Sequence, residues 1–393
     1  MLSVQVIKEE TNAIFNDLVK FSQDLLRIPS YTFQEGKAIK RVIEEMEKLD
    51  YDHVYVDETG NALGIIGNGP KTVVFDSHVD TVREGDLASW TVDPFGGECK
   101  DENIYGLGAS DMKCGGTVTV YAAALMKKLG LCDGKRIVIS FSTMEEDLDG
   151  IALEHVLSDN GFKADYVIIP EPTDLRLCCG HGGRALYKIS MPGVSSHGSS
   201  PEYGVNAVYE IQEIVKRVSL WSNRLLQEKK KNGSIALTKI ESESASLNAI
   251  PYGCNIYLDR RTNAQQSEKE LSNEMDELIA GTNATWETVE MKANTWNGEP
   301  VVMRSFRPAF ELEKTDHLVQ ACHDAYKYVT GEDVMEFRFK GTTNGVSSAG
   351  LLKIPTVIFG AGLEAMCHTA NEYCPLENMR KACEFYVALA ARL

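Results

Sequence analysis

The segment Phe75-Asp76-Ser77-His78-Val79-Asp80 ends a short apolar run with an imidazole and a carboxylate two residues apart. On extended backbone His78 and Asp80 point the same way. A carboxylate beside a histidine is a common way to hold a metal-binding imidazole in one tautomer. Alone, the pair reads as a solvated strand end. Four further segments change that reading. Gly106 to Gly116 is rich in glycine and carries Asp111 just before a helical pattern. It lacks the Gly-Lys-Ser/Thr ending of a phosphate loop and puts a carboxylate where phosphate would sit, so Asp111 suits a hard-oxygen metal ligand better. The apolar run 136–142 leads into Met144-Glu145-Glu146-Asp147. That is either a solvated turn or two roles at one site, one carboxylate on a metal and its neighbour taking a proton from the water bound there. The run 166–170 ends in Glu171-Pro172-Thr173, and 357–360 leads to Cys367-His368-Thr369-Ala370-Asn371-Glu372. His78, Asp111, Glu146, Glu171 and His368 are two imidazoles and three carboxylates. They suit a pair of borderline divalent ions, with Asp111 bridging and each ion taking one His and one Glu. Two ions about 3.5–4 Å apart clamp a water, lower its pKa and polarise a carbonyl.

These groups need a scaffold. Residues 72–75, 137–141, 166–169 and 356–359 are short, rich in β-formers and nearly continuously apolar, as in strands buried on both faces of a mostly parallel sheet. Helical periodicity over 11–28, 35–49, 117–129 and 151–157 alternates with them, which predicts an α/β sandwich. In an open sheet of this kind, the carboxyl ends of the strands build the crevice where ligands bind. The middle of the chain differs. Half-exposed strands are expected at 185–190, 234–239, 255–259 and 288–292, with a long amphipathic helix over 204–229 and another over 267–279. Residues 184–296 therefore read as an inserted α+β domain, with 1–183 and 297–393 forming the catalytic domain.

The 393 residues carry 43% apolar and 25% charged side chains, an ordinary globular composition. The net charge of −17 argues against a nucleic-acid or anionic-membrane partner. No apolar run approaches the roughly 18–20 residues of a membrane span. The first residues do not read as a secretion signal, and the ten cysteines show no CxxC pattern. A cytoplasmic protein with reduced thiols is the expectation.

The ordered set His78-Val79-Asp80, Gly108-Ala109-Ser110-Asp111-Met112-Lys113-Cys114-Gly115-Gly116, Met144-Glu145-Glu146-Asp147, Pro170-Glu171-Pro172-Thr173 and Cys367 to Glu372 resembles one enzyme family across essentially the whole chain. It is the metallopeptidase and amidohydrolase family of acetylornithine deacetylase, succinyl-diaminopimelate desuccinylase and carboxypeptidase G. The chain as a whole is similar to a subgroup described as selenium-metabolism-linked hydrolases, a label of genomic association that names no substrate. The resemblance implies a zinc-peptidase-like catalytic domain with an inserted lid or dimerisation domain. By matching motif, His78 and Glu171 would bind one metal, Glu146 and His368 the other, and Asp111 would bridge. Asp80 would orient His78, and Glu145 would be the general base. Zinc is the expected metal, and cobalt or manganese fit the same ligands. Glu171, rather than Asp, resembles the deacetylase and desuccinylase side of the family.

Three more features follow from the resemblance. His197, in Ser195-Ser196-His197-Gly198, would reach a neighbouring subunit's site and help bind the carbonyl oxygen as it gains charge, which implies a homodimer through 184–296. Its alternative is a turn histidine. Asn248, in Asn248-Ala249-Ile250-Pro251, and Arg261 mark a substrate-binding segment, where a guanidinium would suit a carboxylate. The bland reading of Arg261 is a surface cation. Asn344, in Gly341-Thr342-Thr343-Asn344-Gly345, stands where relatives often carry Asp, and it too would face substrate. His181, among glycines, reads as a structural hinge residue, and Cys178, Cys179 and Cys367 as small apolar groups. The resulting expectation is a two-metal hydrolase of a small N-acyl or N-carbamoyl amino acid. A dipeptidase or carboxypeptidase is the first alternative. A non-catalytic binding protein is opposed by the retained Glu145, and a nucleotide binder rests only on the glycines near Asp111.

Overall fold

The structure, a computed structural model, describes residues 2–229 and 231–393. The chain divides into two compact units, and each is described by itself. The larger unit begins with α1 (Val4–Leu26), whose first turn is capped by the Ser3 hydroxyl accepting from the Val6 amide. It starts upstream of the expected Thr11 because Ile7 joins the apolar stripe of Phe15, Leu18, Phe21 and Leu25. Next come α2 (Gly36–Lys48), β1 (His53–Val56), β2 (Ala62–Ile66) and β3 (Lys71–His78). On α2 the buried Ile39, Val42 and Met46 fall on one face, and each contributes about 1.5–3 kcal/mol by leaving water. They are followed by α3 (Cys114–Lys128), β4 (Lys135–Ser142), α4 (Ile151–Asp159), β5 (Tyr166–Ile169) and β6 (Leu177–His181).

The smaller unit covers His181–Met291 and Val302–Phe310. Its elements are β7 (Gly183–Pro192), α5 (Gln212–Gln227), β8 (Ser234–Glu243), β9 (Gly253–Thr262), α6 (Glu268–Ile279) and β10 (Thr285–Thr288). The antiparallel sheet runs β8-β9-β7-β10. Ile214, Val218 and Leu225 of α5 and Leu271, Met275 and Leu278 of α6 share a core with Tyr187, Ile189, Ile256 and Leu258 of the sheet. Ser267 and Glu270 cap α6 reciprocally, so that helix starts where its sequence signals it. The long helix expected over 204–229 is instead a turn of helix at Ala207–Glu210, a break at Ile211, and α5. The strand expected at 288–292 divides into β10 and Glu290–Asn294.

The boundary expected at 296 is corrected. Residues 302–310 return to the smaller unit, where Phe306 and Arg307 pair with Ala185 and Arg184. Residues 292–301 belong to the larger unit, where the Trp296 indole donates to the Gly60 carbonyl at 2.9 Å and lies against Gly36.

The larger unit closes with α7 (His317–Thr330), β11 (Thr356–Ile358) and α8 (Leu376–Ala390). Its sheet runs β1-β2-β4-β3-β5-β11-β6. The four central strands β4, β3, β5 and β11 are parallel, and antiparallel strands flank them. Their residues are buried almost throughout, which is why they read as continuous apolar runs. Helices α1, α3 and α8 pack together with the sheet. The carboxyl ends of β3, β4, β5 and β11 therefore emerge side by side.

Candidate active site

Each of those strand ends leads into a chemically equipped segment. His78 is the last residue of β3, Glu145 and Glu146 begin a short helix just after β4, and Glu171 follows β5 by two residues. The Glu171 strand end is wedged between two glycines. A Cβ on Gly115 or on Gly360 would come within 2.3 Å of the Pro170 carbonyl, so neither position accepts a side chain. Asp111 lies on the loop before α3, and His368 on the segment after β11.

The structure brings all five expected ligands together. His78 Nε2 lies 3.2 Å from Asp111 Oδ1 and 3.9 Å from Glu171 Oε1. His368 Nε2 lies 3.3 Å from Asp111 Oδ2 and 3.0 Å from Glu146 Oε2. Asp111 thus presents one oxygen to each imidazole. Ligand atoms of His78, Asp111 and Glu146 all fall within 4.8 Å of one another. His78 is fully buried, whereas His368 is half exposed and forms the open side. Glu145 lines the same cleft of about 200 Å³, with Phe339, Thr342, Glu364 and Cys367 on its wall. Its carboxylate makes no hydrogen bond or ion pair among the described residues, in contrast to Glu146.

Supporting contacts fix the geometry. The His78 imidazole meets the Asp80 backbone carbonyl through Nδ1 at 3.0 Å, closer than the Asp80 carboxylate at 3.6 Å. The carboxylate instead accepts from the amides of Glu145 (3.1 Å) and Glu146 (3.2 Å) and from the Thr32 hydroxyl (2.9 Å). Two buried acids act similarly, although no role was assigned to them from sequence. Glu372 accepts from the amides of Gly108, Ser110 and Asp111 at 2.8–2.9 Å and so shapes the loop that carries Asp111. Its only sequence signal is its place four residues after His368. Glu35 accepts from the amides of Phe33 and Met144.

The electrostatics describe a cluster short of positive charge. Burial raises Glu171 to about 8, Glu145 well above its ordinary value, and Glu146 upward. Burial likewise raises Glu372 to about 8. Hydrogen bonds to Asp111 and Glu146 lift His368 to about 10. For His78, burial opposes the charged form, and the bonds to Asp111 and Asp80 overcome it. Lys113 cannot compensate, because its ammonium donates to the Leu25 and Ile28 carbonyls. No lysine or arginine lines the cleft among the described residues. Converging carboxylates and imidazoles without a protein cation are the donor chemistry of a site for divalent ions, and the residues fit two of them.

Asn344 is buried behind the site. Its amide donates to Asp76 Oδ2 (2.8 Å) and Ser142 Oγ (2.9 Å), and its carbonyl accepts from the Gly150 amide (2.8 Å). It ties β3, β4 and the start of α4 together, which corrects the expected substrate contact. In the smaller unit His197 and Asn248 are exposed on adjoining loops, joined by the bridge between His197 and Ala249. Arg261 is exposed on β9 and forms a two-pronged pair with Asp259 at 2.8 and 3.1 Å.

Residues 74–392 match the model of peptidase family M20/M25/M40. The uncharacterized protein YgeY of Escherichia coli K12 is 32% identical over 388 residues, covering 98% of this chain and 96% of that protein. Succinyl-diaminopimelate desuccinylase 2 of a Ruegeria species is 30% identical over 262 residues, covering 63% of this chain and 65% of that enzyme. Among solved structures, a Bacillus subtilis protein described as a dinuclear metal-binding peptidase of the M20 family superposes with a TM-score of 0.67 at 15% identity, covering 97% of this chain and 98% of that one. The chain belongs to peptidase family M20/M25/M40 and is a metallohydrolase of amide bonds.

Proposed function

We propose that the enzyme hydrolyses the amide bond of a small N-acyl or N-carbamoyl amino acid, using two divalent ions. The observation that carries this reading is Asp111, with one oxygen toward His78, which lies beside Glu171, and the other toward His368, which lies beside Glu146. His78 and Glu171 would hold one ion and His368 and Glu146 the other. Zinc suits this mixed nitrogen and oxygen set, as do cobalt and manganese. The ions would supply a polarised carbonyl and a water of lowered pKa. Glu145, buried at the cleft and with a carboxylate free of partners among the described residues, takes the proton from that water and returns it to the leaving amine. Asp80 keeps Glu145 and Glu146 in place through their amides.

A second copy of the chain completes the reading. His197 donates to the oxygen that gains charge, and it does so across a homodimer formed through the smaller unit. This is supported by exposed Val194, Tyr203, Val205, Leu247 and Tyr252 on the same loops as His197 and Asn248. Such apolar surface marks a protein contact. Arg261 and Asn248 bind the substrate's carboxylate end. An exposed ion pair such as Arg261–Asp259 is worth about 0–1 kcal/mol, so exchange for a substrate carboxylate is cheap.

A dipeptidase is the second reading. Glu364 favours it, because among the described residues its carboxylate, on the cleft wall, accepts only from the Lys340 amide, at 3.4 Å, and could receive an α-ammonium group. The test is a panel of acylated amino acids and dipeptides, assayed with chelated and with metal-reconstituted protein. The reading requires activity that disappears on chelation, returns with divalent ions and favours the acylated amino acids. Full activity in a metal-free sample would end it, and preference for dipeptides would install the second reading.

A further inference from the structure

The backbone at the end of β4 does not hold itself. Met144 lies in the left-handed region (φ 63°, ψ 17°), uncommon for a residue with a side chain. The amides of Met144, Glu145 and Glu146 open a short helix, and the first amides of a helix lack partners within it. Two carboxylates supply them. Asp80 takes the amides of Glu145 and Glu146. Glu35 takes the Met144 amide on Oε1 at 3.1 Å. Glu35 comes from a distant part of the chain, the turn that enters α2, and it is fully buried. The same Oε1 accepts from the Phe33 amide at 2.9 Å, while Oε2 has no hydrogen-bond partner among the described residues. The segment around Glu35 is fastened to the loop after β3 as well. Ser30 Oγ donates to the Val79 carbonyl, the Thr81 amide to the Ser30 carbonyl, and Thr32 Oγ1 to Asp80 Oδ2. Residues 30–35 therefore grip both the His78 loop and the Glu145 loop.

We propose that Glu35 is a positioning residue for the reaction: its carboxylate holds the Met144 amide and thereby aims the Glu145 side chain at the cleft. The kinetic part of this rests on the reading of Glu145 as the base. A carboxylate that merely anchored the turn before α2 would matter for stability alone. One that aims Glu145 matters for turnover in molecules that are folded and loaded with metal. Its action needs an acceptor oxygen at Oε1 and no negative charge, so glutamine replaces it and alanine does not.

The experiment compares wild type, Glu35→Gln and Glu35→Ala in two measurements. Amide hydrogen exchange of the peptide covering residues 143–149 is followed by mass spectrometry. Steady-state kinetics on the best substrate of the panel are normalised to metal-loaded protein. Glu35→Ala should exchange about tenfold faster in that peptide and lose about tenfold or more in kcat, with KM within about twofold, as expected for a misaimed catalytic group. Glu35→Gln should stay within about threefold of wild type in both. The proposal is overturned if Glu35→Ala leaves exchange and kcat unchanged, or if Glu35→Gln is as damaged as Glu35→Ala. Should Glu35→Ala not fold, Glu35→Asp, which withdraws the acceptor by one methylene, takes its place under the same criteria. If wild type cleaves no amide in the panel, the functional reading fails, and the exchange measurement still decides whether Glu35 holds the 143–149 segment.

Discussion

The cleft of the larger unit and the loops of the smaller one carry chemistry in opposite ways. In the cleft, His78, Asp111, Glu146 and Glu171 are largely withdrawn from water, and neighbouring acids bind the loops that carry them. In the smaller unit, His197, Asn248 and Arg261 stand in solvent. Among the described residues the His197 ring is held only locally, with Ser199 Oγ at 2.7 Å from Nδ1. A buried cluster is organised before anything binds, and its substitutions should damage the site directly. An exposed group is organised only when another surface arrives, so its substitutions should be open to rescue by that surface.

The largest expected effect is in the cleft. Glu145→Gln should retain its metal ions and lose about 10²–10⁴-fold in kcat, the usual weight of a general base. Glu146→Gln should also weaken metal binding, because Glu146 and not Glu145 touches His368. Elemental analysis after gel filtration checks both. Metal lost from the Glu145 variant and kept in the Glu146 variant would reverse the two roles.

His197→Ala should cost about 10²–10³-fold, as for loss of one donor to a developing oxyanion. Its distinguishing property is rescue. Mixed with the Glu145→Ala variant under conditions of subunit exchange, it should regain activity, since one site of each mixed dimer then carries neither lesion. Demonstrated exchange with no recovery would remove the cross-subunit role.

The smallest effect is on stability. In the metal-free protein, Glu171 titrates at about 8, above its ordinary carboxylate value. The folded form then binds more protons than the unfolded one between the ordinary value and about 8, so its stability falls as pH rises through that window. The Glu372 shift acts in the same direction. Melting temperature should therefore drop by several degrees from pH 5 to pH 8 without metal, and this slope should flatten when divalent ions replace the protons. A melting temperature rising with pH in the chelated protein would contradict the burial of these acids.

Sequence made the cleft residues legible because His78, Glu146 and Glu171 stand at or just after the ends of apolar strands, while Asp111 and His368 stand on the loops beside them, a pattern that survives without knowledge of contacts. The central strands were legible for the same reason. The clamps were not. Glu35, Glu372 and Asn344 act on the backbone of segments about 100–260 residues away, and no spacing encodes such partners. Asn344 shows how this misleads. The resemblance, which puts it in a glycine-rich loop where relatives often carry Asp, implies a substrate contact, whereas its amide is used up on Asp76, Ser142 and Gly150. The boundary at 296 failed because Phe306–Arg307 is a very short strand whose place is set by pairing with β7, not by its own pattern.

The order of strands in the sheet also has a temporal meaning. The last parallel strand, β11, sits between β5 and β6, yet it is made only after the entire smaller unit and α7 have been synthesised. At about 5–20 residues per second, the gap between β5 and β6 stays open on the ribosome for roughly 10–40 seconds. During that interval the four earlier-made acids of the cleft have neither His368 nor the Glu372 clamp. The antiparallel sheet of the smaller unit, whose pairings span shorter stretches of chain, is complete except for its returning strand well before its host can close.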